Sequence, residues 1–288
     1  MSTRALLNIG LAVLAVVLVL VVVYRPGLEP EATPQAIITD LTPGEVASIT
    51  VVREPREQLT FTKQAGHWYL FTGNYELPAA EFQVNALLRL LQATADIRYP
   101  AASLDLPQLG LEPAQVTVTF NDREVHIGAT DALDKKRYIQ VDDSVYLIAD
   151  QYQHLVNAEP TTFVARKLLA GRAAITRLEL PGLTLTRSED THWQIDPADD
   201  KVSADALQQL VDNWQNTSAL YVSRYDGAET DEQVTIHTVG QPEPLTFNVV
   251  SHAPELVLAR PDWGVSYHLT GSLEDSLLAL PETEPEKK

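Results

Sequence analysis

The sequence predicts the α+β class, as an internally duplicated domain in which each half is an antiparallel sheet with a packed helix, preceded by one transmembrane helix. Three observations lead there. Residues 5–23 form an uncharged apolar run, the rest of the chain mixes strand-period runs with a helix-period stretch, and that mixture occurs twice in the same order.

The first run reads ALLNIGLAVLAVVLVLVVV, with Asn8 as its only polar side chain. At about 1.5 Å rise per residue it covers close to the roughly 30 Å of a bilayer's hydrocarbon, and a helix satisfies every backbone group where water is absent. A cleaved signal peptide would have an apolar core of about 7 to 15 residues ending in small residues. Here Tyr24, Arg25, Pro26 and Gly27 follow, an aromatic and a cation suited to the lipid–water interface. Residues 1–25 therefore read as an uncleaved anchor. Arg4 and the terminal amine oppose Arg25, so charge orients the helix only weakly. The head before the helix is too short to hold a domain, so the long remainder reads as the translocated part, with the N-terminus cytoplasmic.

Residues 26–34, PGLEPEATP, favour an extended spacer, and a linker is expected over 26–40. The first repeat is expected at 41–170 and the second at 171–280. Ile49 in Ser48-Ile49-Thr50 corresponds to Ile175 in Ala174-Ile175-Thr176, 126 residues later. Trp68, after Gly66-His67, corresponds to Trp193, after Thr191-His192, 125 residues later. Arg98-Tyr99 then matches Arg224-Tyr225, Gln115-Val116-Thr117-Val118 matches Gln233-Val234-Thr235-Ile236, and Val145-Tyr146-Leu147 resembles Tyr267-His268-Leu269. Matches kept in one order, with loop-sized changes of offset, point to duplication.

Within the first repeat, runs at 46–53, 57–63 and 66–71 alternate Val, Ile, Thr and Phe with polar residues, predicting a three-strand meander. Val84, Leu87, Leu88 and Leu91 fall at i, i+3, i+4 and i+7 and predict a helix; Leu207, Leu210, Val211 and Trp214 repeat that stripe. Ser203 is the expected N-cap of the second helix, with Val202 stapled against Leu207. Strand period returns at 115–120, 123–127, 137–141 and 144–149, and again at 233–238, 245–250, 255–259 and 265–269. Short helices are expected at 151–156, 161–169 and 272–279. The end, PETEPEKK from 281, has no apolar side chain to bury and reads as a disordered tail.

With 39 acidic and 21 basic residues the net charge is −18, which repels phosphate backbones and argues against nucleic acid. There is no cysteine, which removes disulfides, thiolate nucleophiles and cysteine-held metal centres. No two of the seven histidines have the i, i+4 spacing of a helical zinc site, and the acidic pairs Asp131/Asp134, Asp142/Asp143 and Asp199/Asp200 lack the spaced loop of a calcium site. No metal or cofactor is expected. A nucleophile elbow, a glycine-rich phosphate loop and HExxH are all missing from the sequence, so the expectation is a protein that is not an enzyme.

From Leu41-Thr42-Pro43-Gly44-Glu45-Val46 into a strand, through the Trp68 strand, the helix to Leu91 and Leu109-Gly110-Leu111-Glu112-Pro113, the order of pieces resembles the bacterial domain-of-unknown-function family 4340. Tyr138-Ile139-Gln140-Val141, Val145-Tyr146-Leu147-Ile148 and Arg166-Lys167-Leu168-Leu169 continue the likeness. The resemblance implies a membrane-anchored envelope protein of uncharacterised role, related to auxiliary components of gliding-motility-type ABC transporters. It carries no functional residues over, and the additional domains of the large transporter auxiliaries are not in this sequence.

Trp68 and Trp193 read as core packing and His67 and His192 as residues of a solvated face. Lys135, Lys136 and Arg137 form a compact basic run that reads as a turn into the next strand. The candidate ligand or partner site is Arg98, Tyr99, Arg224 and Tyr225: each Arg–Tyr pair follows a helix, and if the repeats face each other the pairs line a shared cleft. Together these readings predict a noncatalytic, single-pass protein of the bacterial inner membrane, its periplasmic domain serving as an interaction or accessory subunit of an envelope or transporter complex. A glycan- or lipid-binding module in the cleft is the alternative, and a hydrolase whose groups meet only in space is the third reading.

Overall fold

Period-two alternation becomes antiparallel sheet in both halves of the described chain. The computed structural model describes residues 14–15, 36–53, 55–169, 174–188 and 192–280, with backbone alone at 96 and 155. The expected anchor, apart from helical residues 14–15, and the expected tail lie outside these, and among the described residues no helix is long and apolar enough to cross a membrane. In chain order the first set of elements is β1 (Ala36–Ile37), β2 (Ser48–Val52), β3 (Leu59–Gln64), β4 (His67–Thr72), β5 (Tyr75–Pro78), α1 (Glu81–Leu88), β6 (Thr94–Pro100), β7 (Val116–Phe120), β8 (Arg123–Thr130), β9 (Lys136–Val141), β10 (Ser144–Ala149) and α2 (Gln153–Val156). The second set is β11 (Ile175–Leu180), β12 (Leu183–Arg187), β13 (Trp193–Asp196), α3 (Ala204–Asn216), β14 (Tyr221–Arg224), β15 (Gln233–Thr238), β16 (Leu245–Ser251), β17 (Glu255–Arg260), β18 (Val265–Thr270) and α4 (Glu274–Leu278).

These strands make a ten-stranded sheet, β1-β6-β10-β9-β8-β7-β2-β3-β4-β5, and an eight-stranded sheet, β13-β12-β11-β15-β16-β17-β18-β14. Read from β4, the first sheet runs β4-β3-β2-β7-β8-β9-β10-β6, which is the strand order of the second, and in each the one long helix precedes the strand that returns to the far edge. The first sheet adds β5 and β1 at its two ends. With mostly antiparallel sheet and few helices, the protein is α+β.

Alternation decides which face is buried. Ile49, Val51, Leu59, Phe61, Trp68, Leu70, Val118 and Phe120 all point into the core, while the intervening Thr50, Thr60, Thr62 and Thr119 face outward and are half-buried. The expected stripe of the second helix is buried as a set on α3, and the Ser203 hydroxyl accepts from the Ala206 amide at 3.2 Å as its cap. On α1 the stripe is buried too, but its last member, Leu91, lies in a 3-10 turn over Arg89–Gln92 that ends the helix. One apolar core runs through both sheets, including an edge-to-face contact of Phe61 with Phe163 at 5.2 Å and a tilted contact of Trp214 with Phe247 at 5.6 Å.

The connector between the sheets differs from expectation. Of the helix predicted at 161–169 only a 3-10 turn over Pro160–Phe163 forms, and the chain then runs through isolated bridges at Val164 and Lys167 into a bend at 168–169. The reason is backbone pairing on both flanks: Ala80 N donates to Phe163 O and Ala165 N to Pro78 O, while Leu168 N donates to Thr217 O and Ala219 N to Arg166 O. Tertiary hydrogen bonds to two sheet edges override a weak helical preference. The linker expected over 26–40 also gives up its end to the fold, since β1 pairs with β6 and Ile38 is buried. Strands β5, β6 and β14 lie outside the runs that predict strands, each being placed by its neighbours rather than by its own alternation.

Candidate functional site

The seam between the sheets holds a cleft of about 220 Å³, built by the β4–β5 hairpin and the turn before β3 on one side, and by the end of β14 and the β17–β18 turn on the other. Glu57 is its anchor. The Thr72 hydroxyl donates to one carboxylate oxygen at 2.6 Å, and Arg224 donates to the other at 2.6 Å. The Thr72 bond first, then the Arg224 guanidinium, holds the Glu57 carboxyl below the usual carboxylate range against the opposing effect of burial.

Three aromatic rings complete the walls: Tyr75, Tyr225 and Trp263. Gly264 leaves the 3-10 turn Pro261–Trp263 at φ +64°, a left-handed conformation open to glycine. Its missing side chain also makes room for Tyr75, whose ring lies 2.8 Å from where a Cβ would stand, and its carbonyl accepts from the Tyr225 amide at 2.9 Å. Trp263 is held from outside the cleft by Arg260, whose buried guanidinium lies 3.8 Å from the ring centroid and pairs with Asp262. The Tyr225 hydroxyl donates to Ala228 O at 2.6 Å, which leaves the face of its ring for contact. A donor fork, an acceptor and flat apolar rings at a pre-formed seam are the materials of recognition.

Arg224 and Tyr225 thus stand in this cleft, and Arg98 and Tyr99 do not. Arg98 donates twice to the Ser144 hydroxyl, at 3.0 and 2.8 Å, lies over the Tyr146 ring, and lines a separate depression of about 440 Å³ together with Asp40, Arg123 and Asp142. Tyr99 faces solvent opposite Val145 and lines neither space. The shared cleft expected of the two pairs is corrected accordingly. β6 and β14 hold matching places in their sheets, but only the end of β14 reaches the other sheet at the seam. Glu57, Thr72, Tyr75 and Trp263 escaped the sequence reading because their meeting depends on contacts across as many as 167 residues, which no local spacing encodes.

The remaining candidates have structural roles. Trp68 is buried in the core, and Trp193 is half-buried with its ring nitrogen donating to Gln208 at 3.0 Å. His67 and His192 are exposed, and His67 lies 3.1 Å from Glu81. Arg137 is not a surface cation: it is buried and bonded to Asp150, Gly128 O and Thr130. Among the described residues no group of three or more His, Asp or Glu is placed to hold a metal ion.

Two sheets of like strand order, with a shared apolar core and a cleft at their seam, define a two-sheet α+β protein. The chain matches the family described as Domain of unknown function (DUF4340) over residues 68–230, more than half of its length, and it belongs to that family. No curated protein and no solved structure matches it.

Proposed function

We propose that this chain is a membrane-tethered accessory protein of the bacterial envelope, in which a duplicated periplasmic domain recognises a protein subunit of an envelope or transporter complex at the seam cleft. The single observation that carries the recognition role is the Glu57–Arg224 pair set among Tyr75, Tyr225 and Trp263. Arg and large aromatic rings supply most of the binding energy at protein interfaces, and a pre-paired guanidinium limits the ordering cost of association. The uncharged run 5–23 supports the tether, and the matched strand orders support duplication into repeats at 41–170 and 171–280.

Crosslinking and mild copurification of the full-length chain from membranes test this reading. A partner recovered with the wild type and lost on combined Arg224→Ala and Tyr225→Ala substitution is the expected result, and recovery of the chain alone counts against it. A second reading, a glycan module, is favoured by the three ring faces of the same cleft. It predicts that soluble cell-wall oligosaccharides bind the chain and that Tyr75→Ala and Tyr225→Ala weaken them.

A further inference from the structure

Away from the seam cleft, on the face of β14 opposite to Arg224, a second group of side chains has catalytic geometry. Cross-strand register places Tyr221 opposite His268 and His268 opposite Val257, so Tyr221, His268 and Val257 share one sheet face. Ser223 and Glu255 lie two residues along their strands from Tyr221 and Val257, on that face and within diagonal reach of His268. Ser223 Oγ lies 2.8 Å from His268 Nε2, and His268 Nδ1 lies 3.0 Å from Glu255 Oε2.

The protons in this group follow from the partners. An ionised Glu255 only accepts, so the imidazole hydrogen sits on Nδ1, and Nε2 presents its lone pair to the Ser223 hydroxyl. Tyr221 reinforces the arrangement from two sides. Its ring is stacked on the imidazole at 4.2 Å with 12° between planes, and its hydroxyl donates to the same Glu255 oxygen at 3.0 Å. The Ser223 hydroxyl also lies 3.3 Å from the Arg224 carbonyl, a longer contact than the one to His268. The His268 side chain is 17% exposed, so a reagent from solvent reaches the group while the ring stays fixed.

We propose that Ser223, His268 and Glu255 act as nucleophile, general base and orienting carboxylate toward small, accessible aryl esters, an activity beyond the accessory role above. Ser223 Oγ forms a bond to the acyl carbon as its proton passes to His268 Nε2; the bond between the acyl carbon and the aryloxy oxygen breaks, and that oxygen takes the proton and leaves as the phenol. Water then adds to the acyl–serine, giving its proton to Nε2, and the carboxylic acid departs as Oγ regains its hydrogen. The roles match those of a nucleophile activated by an oriented base. The group stands on a sheet face rather than in an enclosed pocket, so water is not excluded and little holds an acyl chain. Substrates must therefore be small and carry a good leaving group, which is the reason for the aryl-ester class.

The test uses the full-length chain in detergent, a fluorophosphonate probe with mass-spectrometric mapping, and p-nitrophenyl acetate turnover. The expected result is an adduct on Ser223, turnover lost in Ser223→Ala, and labelling slowed about 10²–10⁴-fold by His268→Gln, the usual range for removal of a general base. Glu255→Gln should slow it less, while Ser251→Ala should leave both readouts unchanged. Absence of an adduct on Ser223, or labelling of Ser223 that persists at the wild-type rate in His268→Gln, overturns the proposal. Thermal midpoints accompany each variant, and should one fail to fold, the adduct map of the wild-type chain decides. Partner copurification is read in a separate experiment, so the accessory role and this activity stand or fall independently.

Discussion

Arg224 at the end of β14 donates to Glu57 at 2.6 Å across 167 residues of chain, and so ties the two sheets at the mouth of the cleft. Both side chains keep much of their water, at 67% and 33% exposure, so the bridge adds at most about 1 kcal/mol to stability. It fixes two side chains at the cleft more than it holds the fold together. Because the folded Glu57 carboxyl is depressed below 4.5, its contribution is present above that value and is lost as pH falls through the folded value. Urea unfolding of Glu57→Gln should show a small loss relative to wild type at neutral pH, and the gap should close on acidification. A gap that stays constant with pH would refute the assignment.

A different outcome is expected of Arg137 and Asp150, which pair through 2.8 Å bonds at 7% and 14% side-chain exposure. Arg137 also donates to Gly128 O, inside a stretch of β8 where the register shifts. Asp150→Ala leaves a buried guanidinium without its counter-charge, so a loss of about 3–5 kcal/mol is expected by urea denaturation. Replacing both members, with Arg137→Met and Asp150→Leu, should cost less than Asp150→Ala alone, because no orphaned charge remains. The Arg137 bond lowers the Asp150 carboxyl below 3.8, so this contribution too is kept above that value and lost in acid.

Trp214 on α3 is fully buried and its ring nitrogen donates to Leu277 O at 2.8 Å, while Asn213 donates to Ser276 O at 2.9 Å. These bonds fasten α4 to α3. Trp214→Phe keeps most of the apolar volume but orphans the Leu277 carbonyl, and should cost about 1–3 kcal/mol. Trp214→Ala adds a cavity and should cost about 3–5 kcal/mol, read as a fall in the denaturation midpoint. Equal losses in the two variants would mean that the added cavity costs nothing beyond the lost hydrogen bond.

How far the sequence speaks depends on whether a signal is local. The stripe on α3 and the strands β2, β3, β4, β7 and β9 were legible because each alternation or helical spacing is written within about a dozen residues, and burial of one face follows directly. The connector at 164–168 was not, because its path is imposed by partners at 78–80 and 217–219. The same distinction divides the candidate site. Arg224 and Tyr225 were singled out by matching the halves, and they do stand in the cleft, but the matching also nominated Arg98 and Tyr99, which point elsewhere. Like position in two sheets does not make like surroundings when one sheet meets the seam with its β14 edge and the other with its opposite, β5 edge, far along the strand order from β6.

His252, in the turn between β16 and β17, provides the last prediction. Its Nδ1 lies 2.8 Å from Glu274 at the start of α4, and its Nε2 lies 2.9 Å from Glu232 just before β15. Two acceptors on two ring nitrogens require both nitrogens to donate, which is the imidazolium form. The Glu274 bond first, and the Glu232 bond with it, raise this histidine above 6.5 against the opposing effect of burial. A raised folded value means that the stabilisation is fully present below 6.5 and is lost as pH rises through the folded value. With the side chain 44% exposed, solvent screening keeps the effect on unfolding small, so the titration itself is the better readout. An NMR titration of the ring should give a midpoint above 6.5, lowered by Glu274→Gln more than by Glu232→Gln. A midpoint at or below 6.5 in the wild type would mean that the two carboxylates do not close on the ring in solution, and that α4 is not fastened to the β16–β17 turn through this side chain.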